Sequence, residues 1–209
     1  MFHIGLDLGQ RRDHTAIAVV ERVERPRAFL APEKEPLMLR HVERVPLGTP
    51  YPEVVARVRE VAGSDELAGQ CALVVDATGV GVPVVEMLRA GRLGCEITAV
   101  TITGGEQGSQ RQGAGGFDWS VPKRDLIAGV QMLLEHDGLR FARGLREAAA
   151  LVQELVDVRS TMRENGRVRL GADGCGEHDD LVIALALACW GAQRPKRLNG
   201  YGGGRILGI

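Results

Sequence analysis

Apolar positions in the first third of the chain recur every second residue or in short unbroken runs. HIGLDLG and TAIAVVERV read as two strands separated by the polar turn QRRDH, and LMLRHVERV follows the proline-bracketed loop RPRAFLAPEKEP. Three consecutive antiparallel strands are the simplest arrangement of these runs. The period then lengthens. YPEVVARVREVA places Val54, Val55, Val58 and Val61 at helical spacing, and CALVVD is a continuous apolar run ending in an acid, the pattern of a central parallel strand. ATGVGVPVVEMLRAG predicts a turn into a helix, with Thr78 as N-cap, Pro83 in the first turn and Gly91 at the close. CEITAVTIT is a further strand.

The glycine-rich, polar stretch GGEQGSQRQGAGG (104–116) predicts a mobile loop where these strands end. Two amphipathic helices follow. VPKRDLIAGVQMLLEHDG carries Leu126, Ile127, Val130, Leu133 and Leu134 on one stripe, and LREAAALVQELVDV carries Leu145, Ala148, Ala149, Val152 and Leu155 on another. STMRENGRVRL reads as a hairpin around Asn165 and Gly166. GEHDDLVIALALACW (176–190) closes the pattern with a helix that is apolar on every side from Leu181 to Trp190, and so is expected to be buried nearly all round. The predicted class is α/β: one mixed sheet, its first three strands antiparallel, with helices on both faces. Residues 1–192 are expected to form one domain and 193–209 a flexible tail.

Composition narrows the function classes. With 209 residues, 44% of them hydrophobic and 25% charged, the chain is ordinary for a soluble globular protein with a substantial core. A formal net charge of -1 argues against a strongly basic, histone-like binder while leaving local basic patches open. Cys71, Cys95, Cys175 and Cys189 show no CxxC spacing, so reduced thiols in or near the core are expected and a structural zinc site is not. Neither a signal-peptide pattern nor an apolar run of membrane-spanning length is present, which points to the cytoplasm.

Acids occupy unusual places in this pattern. Asp7 interrupts the first strand, Asp76 ends the central strand, and Asp179 and Asp180 stand at the mouth of the apolar closing helix. If the first and central strands are neighbours, Asp7 and Asp76 meet at one end of the sheet, and the closing helix can bring a third carboxylate to them. Clustered carboxylates repel and lose hydration, so such a group needs protons or a cation. Oxygen-only ligands favour Mg²⁺ or Mn²⁺ over zinc, and two such ions can activate water and stabilise a leaving oxygen in phosphodiester cleavage. Adjacent helical residues point about 100° apart, which makes Asp180 the favoured ligand and Asp179 a cap or second-site ligand. His178 is a candidate for orienting a carboxylate or moving a proton.

GLDLGQRRDHTAIAVV, LVVDATGVGVPVVEMLR, VPKRDLIAGVQMLLE and GEHDDLVIALALACW, in this order and spacing, resemble the C-terminal nuclease domain of the large terminase subunit of tailed phages, over roughly residues 1 to 192. The resemblance implies an RNase H-like fold, shared with RuvC-type resolvases, and a metal-dependent endonuclease that cuts concatemeric viral DNA during packaging. It implies Asp7, Asp76 and Asp180 as catalytic metal ligands, with two Mg²⁺ or Mn²⁺ ions, double-stranded DNA as substrate, and a packaging ATPase and portal as partners. Two departures stand out. Ile183 occupies a position where many members carry a further acid, and no GxxxxGK[ST] phosphate loop occurs, so an excised domain, a separate nuclease subunit or a remnant is expected. Arg11, Arg12, Lys123, Arg124 and Arg143, with Arg140 and Arg146 beside the last, are candidates for phosphate contacts without base reading. Only 4% of residues are aromatic, which gives little platform for stacking single strands and favours a duplex substrate. The competing readings are a RuvC-like junction resolvase, a catalytically idle RNase H-like adaptor of a packaging motor, and half of an actin-like or sugar-kinase ATPase, whose phosphoryl transfer needs a second similar domain and so a longer chain than this.

Overall fold

The computed structural model describes residues 1–9, 13–22, 36–79, 81–105, 107–113, 116–165 and 179–194. Along the chain run β1 (Phe2–Asp7), β2 (Ala16–Arg22), β3 (Leu37–Arg44), α1 (Tyr51–Ala62), β4 (Cys71–Asp76), α2 (Gly81–Ala90), β5 (Glu96–Thr103) and β6 (Ser109–Gly113). They are followed by β7 (Gly116–Pro122), α3 (Lys123–Glu135), β8 (Leu139–Phe141), α4 (Ala148–Asn165) and α5 (Asp180–Gln193). The described strands form one sheet in the order β6-β7-β5-β4-β1-β2-β3-β8. β1, β2 and β3 are successive antiparallel neighbours, while β1, β4, β5 and β7 run parallel, so the mixed α/β sheet is as the apolar pattern predicts.

Alternation along the strands sends side chains to two cores. Ile4, Leu6, Ile17, Val19, Leu73 and Val75 pack beneath α1 and α2. Ala18, Val20, Leu39, Val74 and Val100 pack beneath α3, α4 and α5. α5 dominates the second face. Leu181, Val182, Leu185 and Leu187 are fully buried, each contributing roughly 1.5–3 kcal/mol. The interspersed Ala184, Ala186 and Ala188 let the helix backbone sink onto the sheet. A Cβ on Gly5 would lie 1.9 Å from the Ala184 carbonyl oxygen, and one on Gly191 would lie 2.7 Å from Val74 Cγ2. Both ends of α5 are tied down, its last turn by Arg22 Nη1 donating to the Ala192 carbonyl at 2.8 Å. The Arg194 guanidinium also stacks over the Trp119 and Trp190 rings, 3.4 and 4.2 Å from their centroids. No described helix is long and apolar enough to cross a membrane. Cys71 and Cys189 are buried and Cys95 half-buried, all as free thiols; Cys175 lies outside the described residues.

Several local expectations are corrected. The glycine-rich 104–116 stretch contains β6, paired antiparallel with β7 at the sheet edge. An edge strand is held by main-chain hydrogen bonds and needs few apolar side chains, so polar composition conceals it. β8, three residues long, was also missed. α4 continues to Asn165, so the first limb of the expected hairpin is helical, and residues 166–170 lie outside the described residues. Its buried stripe is Leu151 and Glu154, whereas Ala149 and Val152 face outward; on α3, Leu134 is also exposed. Thr78 precedes α2 without capping it, because its hydroxyl is engaged with Asp76 and Ile102. All but the first two residues of the expected tail, from 195 onward, lie outside the described residues.

Two glycine substitutions test this packing in opposite directions. Gly5→Ala is expected to cost about 1–3 kcal/mol or more in urea unfolding, because backbone atoms of α5 block the new methyl. Gly129→Ala, mid-helix in α3 with nothing within 4 Å of its Cβ position, is expected to gain about 0.5–1 kcal/mol. Equal stability of the two variants would contradict the close approach of α5 to β1.

Candidate metal centre

Asp7 and Asp76 end adjacent parallel strands. Leu6 is in register with Val75, which places the two acids side by side at one strand spacing, about 4.8 Å. Leu6 and Val75 face α1 and α2, so by alternation both acids face α5. The row continues sideways: Asp7 pairs with Ala16, and Ala16 with Arg44 at the end of β3. α5 runs against β1, with Gly191 over His3 and Ala184 and Ala188 over Gly5, so its first residue arrives above the end of β1. Asp180 is buried there, 5% exposed. Three carboxylates from three separate elements thus converge at the carboxyl end of the central strands, the place where open α/β sheets bind ligands.

The electrostatics follow from that convergence. Burial raises the Asp7 carboxyl well above the usual carboxylate range; Asp76, Asp180 and Asp179 raise it further, and the Lys123 ammonium opposes them. Asp76 is also raised, chiefly by burial. Its rise is restrained by the Thr78 hydroxyl and amide, the latter donating to Oδ1 at 2.8 Å, and by Lys123. Thr78 Oγ1 in turn accepts from the Ile102 amide at 2.8 Å, which fixes the loop beyond β4 against β5. Asp179 stands at the N-cap position of α5 without making a side-chain cap; its carboxylate pairs with Lys123. A cation in the first turn of α3 opposes that helix's dipole, so the acids opposite explain its placement.

A further acid, missed from the sequence, completes the surroundings. Glu154 of α4 is 5% exposed, and its Oε2 accepts hydrogen bonds from the Leu181 and Val182 amides, each at 3.1 Å. Its Oε1 pairs with Arg44, whose other terminal nitrogen lies 3.9 Å from Glu147. Burial first, and Asp180 after it, push the Glu154 carboxyl up to about 7 against the opposing pull of Arg44 and the two amides. The sequence signal was the polar residue at i+3 from Leu151 on a buried stripe, which helical periodicity assigns to the surface when the stripe is displaced by one residue.

Other expected site residues are distributed less closely. Lys123 and Arg124 follow β7 at the same sheet end as the acids, with Arg124 exposed and its Nε 3.3 Å from Asp125. Arg140 pairs with Met38 at the opposite end of β3 from Arg44, on the outer strand β8. Arg143 follows it, exposed, three strands from β1, so this basic group is not brought to the acids. His178, Arg11 and Arg12 lie outside the described residues. Among the described residues no group of three or more His, Cys, Asp or Glu side chains is arranged so that it could hold a metal ion as the side chains stand. The donor chemistry of the acids is that of a hard divalent cation's ligands: all oxygen, with burial first and the neighbouring carboxylates after it holding Asp7 toward its neutral form.

The raised acids fix the sign of a pH effect. Between about 4.5 and about 7, Glu154 holds its proton in the folded chain and has lost it in the unfolded one, so its contribution to stability falls as pH rises through that window and levels off above it. Asp7 acts in the same direction. In metal-free buffer, melting temperatures of wild type and Glu154→Gln measured from pH 4.5 to 8 should show the steeper fall in wild type; parallel profiles would refute the assignment.

No family model and no curated protein matches the chain. Solved structures do. The large terminase nuclease from the thermophilic phage G20c is similar over 90% of this chain and 80% of its own, with 21% identity and a TM-score of 0.57. The large terminase nuclease domain of bacteriophage SPP1, solved with bound Mn, is similar over 90% of this chain and 84% of its own, with 10% identity and a TM-score of 0.50. The chain has the RNase H-like fold that these terminase nuclease domains share.

Proposed function

We propose that the chain is a divalent-cation-dependent endonuclease that hydrolyses phosphodiesters of duplex DNA, as a large-terminase nuclease. The observation that carries this reading is the meeting of Asp7, Asp76 and Asp180, from three separate elements, at one end of the central strands. The Mn bound by the SPP1 domain supports the choice of cation. Asp7, Asp76 and Asp180 would hold a pair of Mg²⁺ or Mn²⁺ ions, with Asp179 and His178 serving the second site or the proton path. Bound there, the ions supply Lewis-acid activation of water and charge stabilisation at the leaving oxygen.

The chain's own residues do the rest. Thr78 holds the Asp76 carboxylate by two hydrogen bonds, so its orientation is set before substrate arrives. Lys123 is drawn to Asp179 and stands at the rim with Arg124, where both can meet phosphate oxygens without reading bases. Arg11 and Arg12 are assigned the same role, whereas Arg143 would contact only DNA that extends across the β8 edge. The near-neutral net charge suits a module delivered to DNA by a packaging ATPase and portal rather than one that grips DNA alone.

Supercoiled plasmid with Mn²⁺ or Mg²⁺ tests the reading. Wild type should nick and linearise it, EDTA should abolish cleavage, and Asp76→Asn should slow it by about 100-fold or more, the loss of roughly 3 kcal/mol of transition-state stabilisation. Cleavage that survives EDTA, an Asp76→Asn variant as fast as wild type, or an inert wild type at every metal concentration would each overturn it.

A further inference from the structure

We infer that Glu154 is a positioning residue for the metal centre: from α4 it fixes the first turn of α5, and through it the Asp180 carboxylate, relative to the strand acids. This rests on the nuclease reading and adds to it a supporting group from an element that carries none of the catalytic acids. A helix as apolar as α5 needs its leading amides satisfied on entering a core. The residue suited to do so locally is Asp179, since aspartate at the N-cap is among the best acceptors for those amides. In this chain the Asp179 carboxylate goes to Lys123 instead, and both amide bonds are made by Glu154, 27 and 28 residues away in sequence.

The replacement is costly if capping is its only purpose. Burying a carboxylate beside Leu151 and Leu181 sacrifices hydration that an aspartate at the helix mouth would keep. What the distant carboxylate adds is a mechanical connection. Glu154 is gripped on its other oxygen by Arg44, and Arg44 lies in the same transverse row as Asp7, separated from it only by Ala16. Row, arginine, glutamate and helix start therefore form one continuous strut. It sets where Asp180 stands, because a shift of about 1 Å in such a group can cost on the order of 100-fold in rate. Both Glu154 oxygens are engaged within the strut, which favours support over ligation.

Glu154→Gln and Glu154→Met separate these roles, because both lose the charge at similar length and only glutamine keeps an acceptor for the amides. Two readouts are needed on the full chain: Mn²⁺ affinity by calorimetry, and hydrogen exchange of the Leu181 and Val182 amides without metal. Glu154→Met should weaken Mn²⁺ binding roughly 10- to 100-fold and unprotect both amides, while Glu154→Gln, which keeps an acceptor for the amides but turns an NH2 donor toward Arg44, should keep both amides protected and fall between wild type and methionine in affinity. Glu154→Met with wild-type affinity would overturn the positioning role alone. Glutamine as damaging as methionine would overturn it in favour of direct ligation. If Glu154→Met does not fold, Arg44→Met loosens the same carboxylate from a partly exposed position, and unchanged Mn²⁺ affinity there overturns the inference. A wild-type chain that binds no Mn²⁺, with Asp76→Asn as its reference, would overturn the nuclease reading itself.

Discussion

Between Gly5 of β1 and the Ala184 and Ala188 turns of α5 there is no room for one more carbon atom. That close approach needs a strand residue without a side chain and a helix face of alanines, and both are present. It brings a helix surrounded by core directly onto the two strands that end in Asp7 and Asp76. The helix start then falls above those two ends, which is where Asp180 is found. Tight interiors do not deform gradually. The separation between strand acids and helix acid is consequently inherited from backbone contact, not from the flexible side chains at the site.

The same geometry creates an electrostatic conflict. Burial begins the rise of Asp7, and Asp76, Asp180 and Asp179 add to it, so removing any one of these three would lessen the rise. The compensating groups come from elsewhere: Lys123 from the start of α3 and the Thr78 hydroxyl and amide from the loop after β4, while Arg44 at the end of β3 compensates Glu154. Structural cores avoid concentrated like charge, and its retention with partial compensation is what supports a functional reading of this cluster.

Legibility in the sequence tracked how local the cause was. The strand acids were found because each interrupts or ends an apolar run, and α5 was found because its apolar run leaves no other reading. β6 was missed because edge pairing is a main-chain interaction with a glycine-rich strand, and the α4 stripe was set one residue off at Val152, although Leu155 packs inward as expected. That second error had a consequence for the site. Turning the stripe from Val152 to Leu151 carries Glu154 inward, and a buried glutamate contradicts the rule on which helical periodicity is read. Only the three-dimensional arrangement supplies the reason, since its partners are Arg44 and two amides far along the chain. Thr78 was legible as a hydroxyl near a turn, but not as a ligand of Asp76, because its helix begins two residues later than the expected cap requires.

Ile183 sharpens the comparison with the family pattern. Where many large-terminase nucleases carry another acid one turn into the closing helix, this chain has an isoleucine 3% exposed in the core beneath α3, α4 and α5. Glu154 approaches the first turn of α5 from α4, but its oxygens face the α5 amides and Arg44. Its place in the fold is that of a support for the helix start rather than a substitute for an acid at Ile183. The negative charge available to cations is set by Asp7, Asp76, Asp179 and Asp180, and of these Asp179 is already shared with Lys123. On the proposed reading, a cation taken up by Asp179 would compete with that ammonium, which would tie the charge state of the acids to where the α3 terminus comes to rest.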